Sequence, residues 1–401
     1  MNCRLYWIVL VLTGFITWGC MTFRYVGNGF SLALIAFGIA VLLLSITEKY
    51  RPTFKLPLHL RNALISLYGI LFIVGAVQYD SLQNLIGGSY SALTLFFITM
   101  PLWMILYLGR RYDIKKTTAI VLFGNLYAFC AYGFWLYWVE KQDRFSSFYG
   151  SPPEVGMLLD LFLPFSLAIG LYYWKGYKWR IATIFLIPLE VIALLLTETR
   201  GSYLAISGAL LFTFFIWIRK RQNMVSTQMK LIISGVIGCV CVGLVIYTFF
   251  IGMENTARMV GGERLLMWES SYHMWKDHPI WGIGLSEWSS IYNDPESIYF
   301  MEQKKELTNV MPHNIYIFFL STGGLVAFSG VLLYTYFMLK YLVRNISTYE
   351  KNPIAWAMLF MFIAFMAHGM VDGSLISKHI GRVFYLFLGL GILFLDDKTK
   401  I

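Results

Sequence analysis

Apolar residues fill this chain in long stretches, each broken by a short polar one. Twelve apolar segments run near 5–22, 30–47, 58–77, 89–108, 117–138, 155–173, 180–197, 202–218, 229–251, 314–339, 354–371 and 380–395. Most match the roughly 20 helical residues that cross a bilayer. The pattern predicts an all-α integral membrane protein of about twelve transmembrane helices, a single polytopic domain over residues 1–401. The first segment follows a short Asn2–Arg4 head and reads as a retained span, with no removable leader evident.

Composition strengthens this reading. Apolar residues make up 58% and charged residues 13%, against near half and a quarter in soluble domains. A soluble globular protein, a disordered chain and a disulfide scaffold are excluded. The cysteines Cys3, Cys20, Cys130, Cys239 and Cys241 lie in or beside apolar runs and lack zinc-ligand spacing, so they read as packing residues. The net charge of +10 needs no nucleic acid. Of the 32 basic residues, 21 fall in alternate loops, and positive charge stays cytoplasmic. Both termini are then inside. The outward loops are short except for one, residues 252–313, between spans nine and ten.

That long loop has a pattern of its own. Glu263 to Asp277 reads as a helix, with Leu265, Trp268, Tyr272 and Trp275 on one face. His278-Pro279 ends it, because the residue before proline is pushed out of the helical region. The plain reading is an interfacial helix anchored by tryptophans. The sharper one is a helix that roofs a cavity and presents Arg264 into it.

Two further positions invite chemistry. Residues 180–218 as one helix would be roughly 58 Å long, about twice the hydrocarbon thickness, so the chain must reverse near Gly201. Arg200 is thereby pinned at the outer rim. Snorkelling and pairing with Glu198 is the common outcome there, but a planar guanidinium also suits a diphosphate through two parallel charge-assisted bonds. His313 sits between Pro312 and Asn314, where the long loop meets the tenth span. Pro312 is expected at the first helical position and His313 in the first turn, where the positive helix end favours a neutral, proton-accepting ring. Asn314 is a further substrate-binding candidate, and Arg24, beside Tyr25, lies outward where it can touch a phosphate or a headgroup.

The other ionisable groups are ambiguous. His273 and His278 are expected to face water. His368 and Asp372 sit near an outer rim and can line the same cavity, though helix–helix hydrogen bonding is the simpler role. Asp160 and Glu190 lie within spans, where an acid is either functional or a protonated structural group. No outward Asp-x-Asp pair, nucleotide loop, serine elbow or histidine metal motif occurs. Neither a metal nor another cofactor is expected.

Three stretches carry a family resemblance. Thr199-Arg200-Gly201-Ser202-Tyr203-Leu204-Ala205 resembles a Ser-Arg-Gly-x-x-Leu-Ala segment, with Thr for Ser. Glu263-Arg264-Leu265-Leu266-Met267-Trp268, followed by Asp277-His278-Pro279-Ile280-Trp281-Gly282-Ile283-Gly284, resembles a loop helix with its Pro-x-x-Gly-x-Gly turn. Pro312-His313-Asn314 with Gly324 resembles a His-x10-Gly pattern. In order and spacing these are similar to the O-antigen ligase/polymerase superfamily over residues 195–325; the first half of the chain matches only in span pattern and at Arg24-Tyr25.

The resemblance implies a metal-independent glycosyltransferase of GT-C type in the bacterial inner membrane, with its active site on the periplasmic face. Its essential arginines carry over to Arg200 and Arg264 and its essential histidine to His313. The implied donor is an undecaprenyl-diphosphate-linked glycan, the acceptor lipid A-core, and the surroundings membrane lipids. No nucleophilic carboxylate is placed for a double displacement, so inversion is expected. A single dominant outer loop, 62 residues against 16 in 139–154, favours the ligase over a polymerase extending the lipid-linked glycan or an enzyme glycosylating proteins. A lipid-linked oligosaccharide flippase is the alternative from another class. It would not require Arg264 and His313 outside the bilayer, and the absent inverted repeat weakens it.

Overall fold

A computed structural model describes residues 56–77, 82–148, 151–220, 262–301 and 311–396, with a few isolated positions besides. The expected spans at 5–22, 30–47 and 229–251, and Arg24, fall outside those ranges. The described residues are helical and contain no strand. The helices, in chain order, are α1 (Leu58–Val77), α2 (Leu82–Phe97), α3 (Met100–Arg111), α4 (Lys115–Trp138), α5 (Pro152–Tyr172) and α6 (Tyr177–Leu196). They continue with α7 (Arg200–Lys220), α8 (Gly262–Asp277), α9 (Trp288–Asn293), α10 (Ile315–Thr348), α11 (Pro353–His368) and α12 (Lys378–Leu395).

Eight stretches are long and apolar enough to cross a membrane: α1, Ile86–Arg110, α4, α5, α6, α7, α10 and α12. The span expected at 89–108 is broken between α2 and α3, where Thr99 turns its hydroxyl back to the Phe96 carbonyl and Pro101 restarts the helix. Helix α11 has only 16 residues, about 24 Å at 1.5 Å per residue. The chain from 369 to 377 continues in turns before α12 begins.

The helices alternate in direction, so polar chemistry separates between the two ends. Arg110, Lys115, Lys116, Lys175, Lys178, Arg180, Arg219, Lys220, Arg344 and Lys351 gather at the end where α3, α5, α7 and α10 finish. The opposite end carries the 139–151 loop, the α6–α7 turn, the start of α10 and the 369–377 loop. Helix α12 is the innermost, buried along nearly its whole length and packed on α3, α5 and α11. Helix α11 is wedged between α5 and α7, and α10 carries α1 on one side and α8 on another.

The outer segment from 262 to 301 docks through its backbone as well as its side chains. Ile283 N–H donates to the Ser321 carbonyl (3.0 Å) and Gly284 N–H to that of Thr322 (3.0 Å). In return, Leu325 N–H reaches the Pro279 carbonyl (2.9 Å) and Val326 N–H that of Ile280 (3.3 Å). These bonds meet at a break in α10. Gly324 there has φ 61° and ψ −162°, a conformation open essentially to glycine alone, and a Cβ at this position would collide with the Ile280 carbonyl.

Helix α8 buries a face other than its apolar-aromatic one. Met267, Ser270, Ser271 and Met274 point inward, while Leu265 is 57% and Tyr272 54% exposed. The inward hydroxyls bind within the segment: Ser271 Oγ accepts from Trp288 Nε1 (2.8 Å), and Ser270 Oγ donates to the Tyr299 carbonyl (2.9 Å). Trp288 itself is buried and stacked on Tyr292.

Candidate functional site

Arg200 opens α7. Helix α6 ends at Leu196, and Thr197-Glu198-Thr199 reverses the chain as expected. Glu198 adopts the left-handed region, with φ 49°, which is unfavourable for a side chain of this size. The 139–151 loop holds the turn. Arg144 donates from Nε to the Thr197 carbonyl (2.8 Å) and from Nη2 to that of Glu198 (3.1 Å). Phe145 N–H donates to the Leu196 carbonyl (2.8 Å), and Thr199 Oγ1 to that of Pro152 (3.1 Å). The hydroxyl at position 199 therefore pins the turn, a role that serine would also fill.

The turn forms one wall of a cleft. Arg144, Glu198, Thr199, Arg200 and Gly201 line it on one side. Arg264, on the first turn of α8, enters from the outer segment, and His368, Val371 and Asp372 close the remaining side. Arg200 and Arg264 thus share a cavity although they lie on different elements. Among the described residues neither has a hydrogen-bond or ion-pair partner, so Arg200 is not tied to Glu198. The cleft holds about 140 Å³, below the roughly 300–1,000 Å³ of a drug-sized pocket. It has room for a small reacting group and opens to the outside beyond it.

His313 adjoins this cleft without lining it. The expectation of Pro312 at the first helical position and His313 in the first turn is corrected. Asn314 is the cap instead: its Oδ1 accepts from Tyr316 N–H (2.9 Å) and Ile317 N–H (3.1 Å), satisfying donors that a helix start leaves open. Its amide nitrogen donates to the Met370 carbonyl (2.8 Å), so Asn314 is engaged structurally at both ends. His313 lies outside the helix, in the left-handed region with φ 49°. Nearby, Trp268 Nε1 donates to the Pro312 carbonyl (2.8 Å), which ties α8 to this junction.

The left-handed turn aims the His313 ring at Asp372, with Nδ1 3.0 Å from Oδ1. Gly373 N–H donates to the same oxygen (2.7 Å). Burial raises the Asp372 carboxyl, but the His313 hydrogen bond, the charges of His313 and His368 and the Gly373 N–H outweigh it and hold the group below the usual carboxylate range. An ionised Asp372 keeps the proton on Nδ1, so Nε2 is left to accept another. The His313 side chain is 32% exposed, within reach of a hydroxyl arriving from outside.

A second imidazole pairs below. His368 Nδ1 lies 2.6 Å from Asp160 Oδ2, and both side chains are buried. His368 and Asp372 therefore do reach the cavity, beyond simple helix–helix bonding. Glu190 stays apart, accepting from Ser166 Oγ at 2.6 Å. His273 and His278 are exposed, as expected. Arg144 was missed in the sequence, although a cation in an outward loop is the very signal that singled out Arg200. Among the described residues no three His, Cys, Asp or Glu side chains converge to hold a metal ion.

Comparison with known proteins finds a family likeness over part of the chain. Residues 181–332 match the family model described as O-antigen ligase, Wzy_C. The matched segment contains Arg200, Arg264 and His313. No curated protein matches the chain.

Proposed function

We propose, from a cleft built around an O-antigen ligase match, that the chain transfers O-antigen glycan en bloc from undecaprenyl diphosphate to lipid A-core. The reaction takes place on the periplasmic face of the inner membrane, without a metal, and inverts the sugar C1. One observation carries the reading: two guanidinium groups without partners among the described residues line a single cleft beside a carboxylate-backed imidazole. Negative charge builds on the diphosphate as the C1–O bond breaks. Arg200 and Arg264 stabilise that charge in a site partly shielded from water, where fixed cations act strongly. His313 takes the proton of the acceptor hydroxyl at Nε2, and Asp372 steadies the imidazolium that results. The polyprenyl tail remains among the helices, since removing it from the bilayer costs about 0.8 kcal/mol per methylene.

The test uses the purified full chain with lipid-linked glycan and both candidate acceptors. Glycan on lipid A-core is the expected product, made by the native chain and lost in His313→Ala with the fold retained. A lengthened lipid-linked chain would instead assign the polymerase activity. Transfer unchanged in His313→Ala would remove the imidazole from the chemistry.

A further inference from the structure

The Asp160–His368 pair has no part in the chemistry above, yet its imidazole lines the same cleft. Helix α5 supplies Asp160 and the last residue of α11 supplies His368. Nδ1 is committed to Asp160, with Ser202 Oγ at 3.4 Å on the same nitrogen. Nε2 has no partner among the described residues and faces Gly201, the residue after Arg200. A Cβ at Gly201 would stand 2.8 Å from Nε2 and 2.7 Å from Val371 Cγ2. Only glycine lets the start of α7 approach the ring so closely. A pair serving as helix cement alone would turn both nitrogens to protein groups. This one leaves its second nitrogen unpaired among the described residues, on a ring that lines the cleft together with both arginines.

We propose that His368 is a third donor to the diphosphate of the lipid-linked glycan, an inference that rests on the function proposed above. Asp160 fixes the ring through Nδ1, and an anion in the cleft favours the doubly protonated pair, in which Nε2 also carries hydrogen. Nε2–H then donates to a phosphate oxygen from below, while Arg200 and Arg264 hold the group from the sides. The two carboxylate-backed imidazoles divide the work: the exposed one meets the acceptor hydroxyl and the buried one meets the leaving group.

The test compares the full chain in detergent with His368→Asn. Asparagine reproduces the Nδ1 donor to Asp160 but has nothing at the place of Nε2. Inorganic pyrophosphate and farnesyl diphosphate are titrated by calorimetry. Expected is a Kd about tenfold weaker for both, the size of one charge-assisted hydrogen bond, with an unchanged ligand-free unfolding midpoint. Equal affinities overturn the inference. If the variant does not fold, native protein with 15N-labelled histidine decides. The Nε2 signal of the ring sharing its proton with Asp160 shifts on adding pyrophosphate, and a signal that stays put overturns the proposal. Failure here is separable from failure of the function. A native chain that transfers glycan while His368→Asn binds diphosphate normally refutes only this inference. A native chain that binds pyrophosphate through His368 but transfers nothing refutes only the ligase reading.

Discussion

Arg200 and Arg264 are cations of a specific shape, and shape sets the first expectation. Arg200→Lys or Arg264→Lys keeps the charge and loses the planar fork. Each should lower kcat/KM for glycan transfer by about 10²- to 10³-fold at normal expression, and transfer within threefold of native would show that charge alone suffices. Asp372→Asn should lower kcat by about 10²-fold or more, since the amide no longer fixes the His313 tautomer. It should also alter acid stability. The folded Asp372 carboxyl lies below its unfolded value, about 3.9, so its contribution is present above that value and disappears as pH falls through the folded one. Melting scans in detergent from pH 7 to pH 3 should show a smaller acid loss in the variant than in the native chain. The chain reversal beside Arg200 was legible because one helix over 180–218 would be about twice the hydrocarbon thickness; the roles of Arg200, Arg264 and His313 are proposals. The His313–Asp372 bond was not, because it joins residues 59 apart, and no local pattern encodes such a pairing. Likewise Pro312 and Asn314 both suit a helix start, and only the geometry shows that the carboxamide took the donors.

Elements were legible in proportion to their apolar length. Of the nine expected spans within the described ranges, eight coincide with stretches long and apolar enough to cross a membrane, the one at 89–108 broken near Thr99, and the ninth coincides with the shorter α11; a run of that length has few other ways to satisfy its backbone in lipid. The sequence left open whether the aromatic face of α8 meets a membrane interface or the protein. Aromatic residues at helical spacing suit a headgroup layer as well as a protein core, and Leu265 and Tyr272 turned outward. Nor did periodicity reveal the break at Gly324. Gly324→Val should strain the backbone and collide with Ile280, releasing the outer segment while the bundle persists. Hydrogen exchange should rise across 262–301 and stay flat across α5 and α12, and equal protection in variant and native chain would contradict the hook. Arg144→Gln should loosen the Thr197–Thr199 turn and reduce transfer about tenfold, the loss of one or two hydrogen bonds. Activity at the native level would mean that the turn holds without it.

The described helices gather basic residues at one end, and that separation predicts the orientation of the chain. A cysteine in place of Glu287, in the outer segment, should react with an impermeant maleimide in intact spheroplasts, while one in place of Lys178 should react only after lysis; the reverse pattern would invert the topology. Excess chelator should leave transfer unaffected, and a strict need for added magnesium would displace the arginines from their role. Helix α10 joins these scales. Its first residues are bonded to the loop bearing Asp372, and its break is stitched to the segment bearing Arg264. Transplanting the outer segment from a relative with a different sugar preference therefore requires the matching upper portion of α10 as well. A graft cut at Pro312 would part the two arms of the cleft, and the natural unit of exchange runs from the start of α8 to just beyond Val326.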